Sequence, residues 1–187
     1  MGSLAYGTGR QALLDATISI VATGGLRSLT YRAVAAEAGV TQGLVRHHFG
    51  DWETLVHEAA VYSVRKSLDT AGFETDEPGY RRLSPEMIDL VAGDRDLQAF
   101  QFELALEARR RPELLPVLTS VYEVYREAMR RELARNGIDD PDLAWAAFAA
   151  LDGIVFQLTV FGDHEAASRA LGSLRALLIS RSEAGAR

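Results

Sequence analysis

Apolar side chains recur at helical spacing along almost the whole chain, and breaks of Gly, Pro, Asn and Asp divide this pattern into separate segments. In the first segment, for example, Leu14, Ile18 and Val21 fall on one helical face. No stretch shows the sustained alternation of apolar and polar residues, bounded by hairpin turns, that is typical of strands. The pattern therefore predicts an all-α protein of about nine helices, without internal repeats.

Capping residues and glycines locate the ends of the predicted helices. Thr30, Thr41 and Asp51 can each cap the start of a helix, and Gly39 can end one. The helices are expected over residues 10–23, 30–39, 41–47, 51–69, 85–92, 94–110, 112–135, 141–161 and 163–181. Three short helices thus precede a longer one, and a larger bundle follows.

A polar segment at residues 70–83, with two glycines and a proline, separates the fourth predicted helix from the rest. We therefore expect an N-terminal head at residues 1–50, a connecting helix at residues 51–69 and a C-terminal domain at residues 70–187. A chain of 187 residues is long enough for such a pair of small domains, each with its own core.

Composition excludes several classes of protein. The chain has no cysteine, which removes disulfides and thiolate metal sites. No apolar run approaches the roughly 20 residues of a membrane span, and the longest candidate, residues 144–161, is interrupted by Asp152, Gly153 and Gln157. The N-terminus lacks the pattern of a signal peptide. These features predict a cytoplasmic protein that does not enter the membrane.

Charge is distributed unevenly. Residues 1–50 carry four arginines against Asp15 and Glu37, a net charge of +2. The remaining residues carry 16 basic and 24 acidic side chains, a net charge of −8, so that the whole chain has −6. A mildly basic head on an acidic body is compatible with a nucleic-acid contact confined to the head.

Residues 30–49 contain two short helical segments joined by a turn at Gly39, which suits a positive φ. Small residues on the first segment allow the two helices to cross closely. The second segment exposes side chains that suit DNA, since Gln pairs with adenine and Arg with guanine or phosphate. The exposed residues are Thr41, Gln42, Gly43, Arg46 and His47. From spacing alone, an ordinary helical hairpin remains an alternative.

The same stretch resembles the DNA-binding signature of the tetracycline-repressor (TetR) family of transcriptional regulators. The matching motifs are Thr-x-Arg-x-Val-Ala from residue 30, Ala-Gly-Val-Thr-x-Gly from residue 38, and His-Phe-Gly-Asp-x-Glu-x-Leu from residue 48. The resemblance implies a helix-turn-helix head, with Thr30 and Arg32 on the DNA backbone, and a C-terminal domain that holds a small molecule and a dimer interface.

Two positions depart from the family pattern. Arg46 stands where the family usually has Tyr, and both residues can meet a phosphate. Trp52 stands where the family usually has Lys, which removes one phosphate contact. The Trp52 ring could pack against the DNA backbone or bury against the protein core, and the sequence leaves both alternatives open.

The last two predicted helices suit a dimer interface. The helix at residues 143–161 is apolar nearly all round and must be buried on more than one side. On the last helix, one apolar stripe recurs at helical spacing: Ala167, Leu171, Leu174 and Leu178. Two such helices from each chain can form a four-helix interface with two-fold symmetry. The alternative is that both helices close the core of a monomer.

A small-molecule pocket needs aromatic walls and a few polar groups. The candidates are Phe100, Gln101, Leu104, Tyr122, Tyr125, Trp145, Phe148, Asp152 and Phe156. Asp152 stands out because its helical neighbours are Phe148 and Phe156, and a carboxylate in an apolar setting needs a partner. It could bind a cation or hydroxyl of an effector, or make a structural bond to an Arg, Ser or Thr, either in its own chain or across the dimer.

The sequence therefore favours a ligand-responsive repressor that binds palindromic operator DNA as a homodimer and is released by a small, mainly apolar organic effector. No arrangement of nucleophile and base, no phosphate-binding loop and no metal-ligand spacing is present, so we expect no enzyme activity, metal or cofactor. The basic run at residues 109–111 is interpreted as a solvated helix end. The alternative function is a helical protein-interaction module that has lost DNA binding.

Overall fold

The computed structural model describes residues 6–71, 79–80 and 83–185, and every regular element in these ranges is helical. Within them lie nine α-helices: α1 (Tyr6–Gly24), α2 (Tyr31–Glu37), α3 (Gln42–Phe49), α4 (Trp52–Ala71), α5 (Pro85–Gly93), α6 (Arg95–Ala108), α7 (Leu115–Arg135), α8 (Pro141–Phe161) and α9 (His164–Gly185). The predicted all-α fold is confirmed. Most of the predicted linker at residues 70–83 lies outside the described residues.

Side-chain caps start the helices where the sequence predicts them. The Thr30 hydroxyl accepts a hydrogen bond from the Ala33 amide at 3.1 Å. The Thr41 hydroxyl caps α3 in the same way, and the Asp51 carboxylate accepts from the Thr54 amide at 2.7 Å. Each cap satisfies an amide that the helix itself leaves without a partner.

Several helix ends differ from the predicted ones. α1 begins at Tyr6, four residues early, and α9 continues to Gly185. The segment that opens at Pro112 is first a 3-10 turn, Pro112–Leu114, and α7 begins only at Leu115. Terminal turns form and fray at small free-energy cost, so sequence patterns locate them less well than the caps do.

The turn between α2 and α3 depends on Gly39. Its φ is +66°, and the Val40 amide then donates to the Ala35 carbonyl at 2.8 Å. This left-handed turn sets α3 across α2, with Val45 and Phe49 of α3 buried in the head. The exposed side of α3 is fixed by this packing.

Two hydrophobic clusters hold the described residues together. The first contains the buried residues of α1 to α4 and continues into α6 and α7. The second joins α5, the end of α7, α8 and α9. Because α1 packs along α6, the head is attached to the body through a continuous core as well as through α4.

α8 is long and apolar enough, by length and composition, to cross a membrane, and its mean hydropathy reaches 1.7. The prediction that no apolar run approaches the length of a membrane span is therefore wrong. One face of α8 packs into the second cluster, and the core helices of globular proteins can pass the same test of length and composition. Its other face is largely exposed, which becomes important for assembly.

Candidate DNA-binding surface and effector cavity

α3 presents one polar surface to solvent. Gln42, Gly43, Arg46 and His47 are exposed on it, and Thr41 is exposed at its start. The opposite side of α3 is anchored by buried Val45 and Phe49. The structure therefore places all five sequence-predicted residues of this helix on one accessible face, which also carries the free amides of the helix N-terminus.

Thr30 and Arg32 lie at the start of α2 and are also exposed. The Thr30 oxygen is occupied as an acceptor from Ala33, but its hydroxyl hydrogen can still donate to a phosphate. The Arg32 side chain is solvent-accessible beside it. Both residues can therefore flank the surface that α3 presents.

Arg46 is held in place by an aromatic ring. Its guanidinium carbon lies 5.6 Å from the centre of the Tyr31 ring, and the Tyr31 hydroxyl donates to the Gly50 carbonyl at 3.2 Å. Burial raises the pKa of Tyr31, with a further contribution from Asp51. The Tyr31 ring therefore stays neutral, and its face holds the permanently charged guanidinium of Arg46 beside α3.

The two histidines at the end of α3 differ in environment. His47 is exposed, whereas His48 is half-buried between the rings of His47 and Phe49. Burial lowers the pKa of His48, and the neighbouring His47 and Arg10 lower it further. His48 is therefore neutral at pH 7 and adds no charge to the surface.

Trp52, the first residue of α4, packs against the core of the head and is half-buried. Arg111 covers its ring, with the guanidinium carbon 5.3 Å from the ring centre. Of the two alternatives for Trp52, the structure shows packing against the protein. Arg111 also pairs with buried Glu107 at 3.2 Å, so the interpretation of residues 109–111 as a merely solvated helix end is wrong for Arg111.

A small cavity of about 80 Å³ lies in the body among α4 to α8. Four of the sequence-predicted effector residues line it: Gln101, Tyr125, Phe148 and Asp152. Sequence reasoning missed its α4 and α5 walls, which include Ser67, Leu68, Met87 and Val91. A serine on the inner side of the connecting helix is the one signal that could have pointed to the α4 wall.

The other five effector candidates lie elsewhere. Phe100 and Leu104 are 0% and 1% exposed in the core shared by the head and α6, because that side of α6 faces α1. Tyr122 packs edge-on against Phe148. Trp145 and Phe156 lie on the exposed side of α8, and their assignment to the cavity is corrected accordingly.

The polar end of the cavity is a closed hydrogen-bond network. Gln101 donates to the Ser63 hydroxyl at 3.1 Å and exchanges hydrogen bonds with the Tyr125 hydroxyl at 2.9 and 3.1 Å. A longer contact of 3.4 Å reaches Ser67. Burial raises the pKa of Tyr125, so its hydroxyl remains a donor. The network ties α4, α6 and α7 together at one point.

Asp152 enters the cavity from α8. Among the described residues it makes no hydrogen bond or ion pair, and burial raises its pKa. Burial and the nearby Asp152 charge raise the pKa of Tyr122 to about 12. The structural bond that the sequence left open for this carboxylate is not formed within the described part of the chain.

The predicted dimer stripe on α9 faces inward. Leu171 and Leu178 are 0% and 2% exposed, and Ala167 and Leu174 pack against the same core. Leu171, Leu174 and Leu178 pack in the core of their own chain, so their assignment to the dimer interface is corrected, whereas Ala167 also lines a groove between α8 and α9. The exposed apolar residues of α8 and α9 are Trp145, Phe156, Val160, Phe161 and Leu177. Helical periodicity identified the apolar side of α9, but it did not show whether that side packs against the same chain or against a partner.

Two family profiles match the sequence. The profile described as bacterial regulatory proteins of the tetR family matches residues 13–59. The profile described as tetracyclin repressor-like, C-terminal domain, matches residues 80–179, which is more than half of the chain. The chain belongs to the TetR family. TetR-family proteins are ligand-responsive, DNA-binding transcription regulators with a helix-turn-helix head and a ligand-binding C-terminal domain.

Solved structures of similar proteins, two of which are described as TetR-family members, have the same fold. A TetR-family regulator from Rhodococcus sp. superposes with a TM-score of 0.76 at 23% identity, over 92% of this chain and 99% of that one. A family member from Streptomyces coelicolor gives a TM-score of 0.69 at 28% identity, over 89% and 97%. The multidrug binding protein EbrR, complexed with imidazole, gives 0.60 at 30% identity, over 88% and 93%. No curated protein matches this chain.

Within the described residues, no group of three or more His, Asp or Glu side chains lies close enough together to hold a metal ion. The α3 surface and the cavity are the two features of this TetR-family chain on which the sequence-predicted site residues gather. The α3 surface belongs to the head and the cavity to the body. Two helices connect them, because α4 and α6 contribute residues both to the core that includes the head and to the wall of the cavity.

Proposed function

We propose that this chain is a cytoplasmic repressor that binds a palindromic DNA operator as a homodimer and leaves it when a small, mainly apolar organic effector enters the cavity. The observation that carries the proposal is the single accessible face formed by Thr41, Gln42, Gly43, Arg46 and His47. A helix of this kind, anchored by its apolar side, can lie in the major groove.

The contacts divide by chemistry. Gln42 can pair with an adenine and Arg46 with a guanine or a phosphate, while Gly43 lets the backbone approach closely. Thr30, Arg32 and Thr41 suit phosphate contacts on either side of the groove. Trp52, covered by Arg111, supports the position of α4 rather than reading DNA.

The exposed apolar side of α8 and α9 supports the homodimer. Phe161 is 73% exposed, beside a groove of about 320 Å³ between the two helices. Ala166, Ala167 and Ala170 line this groove and leave room for a side chain of a second copy. Two-fold pairing there would place two α3 helices on successive major grooves of one face of DNA.

The cavity supports the effector role. EbrR structures hold imidazole and ethidium, so a related body binds small ring compounds. At about 80 Å³ the cavity is smaller than the roughly 300 Å³ at the lower end of ligand sites. An effector would have to move α4 and α6 apart, and both helices also pack in the head. Release from DNA then follows if the expanded form fits the operator less well.

The direct test is selection of bound duplexes from genomic fragments by the full chain at low salt, followed by fluorescence anisotropy. We expect a palindromic site that binds two chains. The logarithm of its binding constant should fall linearly with the logarithm of the salt concentration, with a slope of about −0.9 for each phosphate contacted. Failure to retain any duplex would overturn the proposal. Binding without salt dependence, or binding of a protein partner alone, would favour the alternative of a protein-interaction module.

A further inference from the structure

We infer that the effector carries one positive charge, a protonated amine or quaternary ammonium on an apolar body, and that the Asp152 carboxylate is its counter-ion in the cavity. This inference rests on the proposed use of the cavity as the effector site. It adds the chemical class of the ligand and the residue that selects it.

The first step concerns the charged and polar side chains that line the cavity. Asp152 is the only charged side chain among the described residues that line the cavity. The other polar groups there satisfy one another: Gln101 bonds to Tyr125 and Ser67, and Gln98 reaches the same serine at 3.5 Å. A carboxylate removed from water without a partner destabilises the site that contains it. A cation of the ligand would supply the missing partner.

Nearby basic groups do not supply it. The lining contains neither Lys nor Arg among the described residues. Arg126 on α7 lies over the Tyr122 ring instead, at 5.8 Å from its centre. Burial is the effect that shifts the pKa of Asp152, and it raises it, whereas a neighbouring cation would lower it. Among the described residues, no basic side chain of the lining therefore faces the Asp152 carboxylate.

The walls beside Asp152 suit the apolar part of a cation. The rings of Tyr125 and Phe148 are stacked, with centres 6.1 Å apart and planes at 13°. The Tyr122 ring, which lies outside the lining of the cavity, packs edge-on against Phe148 with the ring centres 5.7 Å apart. Aromatic faces attract ammonium groups, and this attraction strengthens when both are removed from water. Met87, Val91 and Met129 add flexible or branched apolar side chains to the lining.

The test compares three probes of similar size: benzylamine, which is protonated at pH 7, benzyl alcohol, which is neutral, and benzoate, which is negative. Isothermal titration calorimetry with the full chain measures each affinity. We expect benzylamine to bind about tenfold or more tightly than benzyl alcohol, and benzoate to bind most weakly. Benzyl alcohol also tests whether Asp152 simply accepts a hydrogen bond from a ligand hydroxyl.

Three variants locate the preference. Asp152→Asn keeps the shape and removes the charge, and it should abolish the difference between benzylamine and benzyl alcohol. Asp152→Glu keeps the charge and should keep the preference. Asp142→Asn makes the same change at an exposed position of α8 and should bind like the unaltered chain. Thermal unfolding of each variant confirms that the body is folded.

Equal binding of benzylamine and benzyl alcohol, no binding of benzylamine, or a preference that survives in Asp152→Asn would each overturn the inference. Operator binding without ligand is measured separately. A chain that retains the operator but shows no charge preference keeps the proposed function and loses this inference. A chain that selects benzylamine but binds no DNA keeps this inference and loses the proposed function.

Discussion

The guanidinium of Arg111 lies over the ring of Trp52, with 5.3 Å between the guanidinium carbon and the ring centre. The contact joins the segment after α6 to the first residue of α4, and therefore joins the body to the head. Arg111 is fixed from its other side by buried Glu107. The position at which the TetR pattern usually has a lysine is used here for a contact within the protein.

Replacing Arg111 with Ala should lower the free energy of unfolding by about 1 kcal/mol, because the cation–π contact and one ion pair of Glu107 are lost together. Urea denaturation measures the change, and Trp52 fluorescence should shift to the red as its ring becomes hydrated. Arg109→Ala is the matched control, since Arg109 is exposed at the end of α6. Equal stability of the two variants would mean that the Arg111 contact contributes nothing.

Replacing Arg46 with Ala should weaken operator binding and reduce the salt dependence of log affinity by about one unit of slope if Arg46 meets a phosphate. If it reads a guanine instead, specificity at one base pair should relax while the slope changes less. Anisotropy titrations at several salt concentrations distinguish the two results. Arg181→Ala, an exposed change on α9, should alter neither. Unchanged affinity in Arg46→Ala would remove α3 as the proposed reader.

Replacing Gly39 with Ala should destabilise the protein by about 1 kcal/mol, since φ is +66° and an L side chain is strained there. No atom of the described residues outside the turn itself lies within 4 Å of the added methyl group, so the expected loss comes from backbone strain. Gly172→Ala is the opposite case, because Gly172 lies within the helix α9 and is equally uncrowded among the described residues. This change should raise the free energy of unfolding by up to about 1 kcal/mol. Denaturation curves that moved in the same direction for both variants would contradict this account.

Replacing Phe161 with Glu should convert the proposed dimer to monomer, because it places a charge at the centre of an apolar interface. The side chain is 73% exposed in the protomer, so its loss should barely change the fold. Light scattering after size exclusion gives the mass. Leu106→Glu introduces the same charge at an exposed apolar residue of α6 and should leave the mass unchanged. A dimeric Phe161→Glu chain would place the interface elsewhere.

Replacing Asp152 with Asn should raise the melting temperature at pH 7 in the absence of ligand. The pKa of Asp152 is raised in the folded chain, so the stability that the protonated form provides is lost as pH rises through that pKa. The advantage of Asn should therefore shrink as pH falls towards the ordinary value of 3.8. Melting curves between pH 4 and 8 test this. A variant that is less stable at pH 7 would indicate a partner for the carboxylate.

Local signals were sufficient for the helix-turn-helix and for most helix starts. Thr30, Thr41 and Asp51 cap the helices that follow them, because a capping bond involves residues only three apart in sequence. Gly39 makes the turn because only its own backbone has to adopt a positive φ. The exposed face of α3 follows from these same short-range constraints.

What the sequence determined by itself is the set of helices, the exposed side of α3 and the resemblance that these residues carry. The tertiary structure decided which apolar face meets which neighbour: Leu171 and Leu178 close the protomer, and Phe100 lies against α1 instead of in the cavity. It also decided that Trp52 has Arg111 as a neighbour and that Asp152 has no ionic partner in the described chain. Helical periodicity identifies an apolar side, but the identity of the opposing surface depends on contacts between residues distant in sequence.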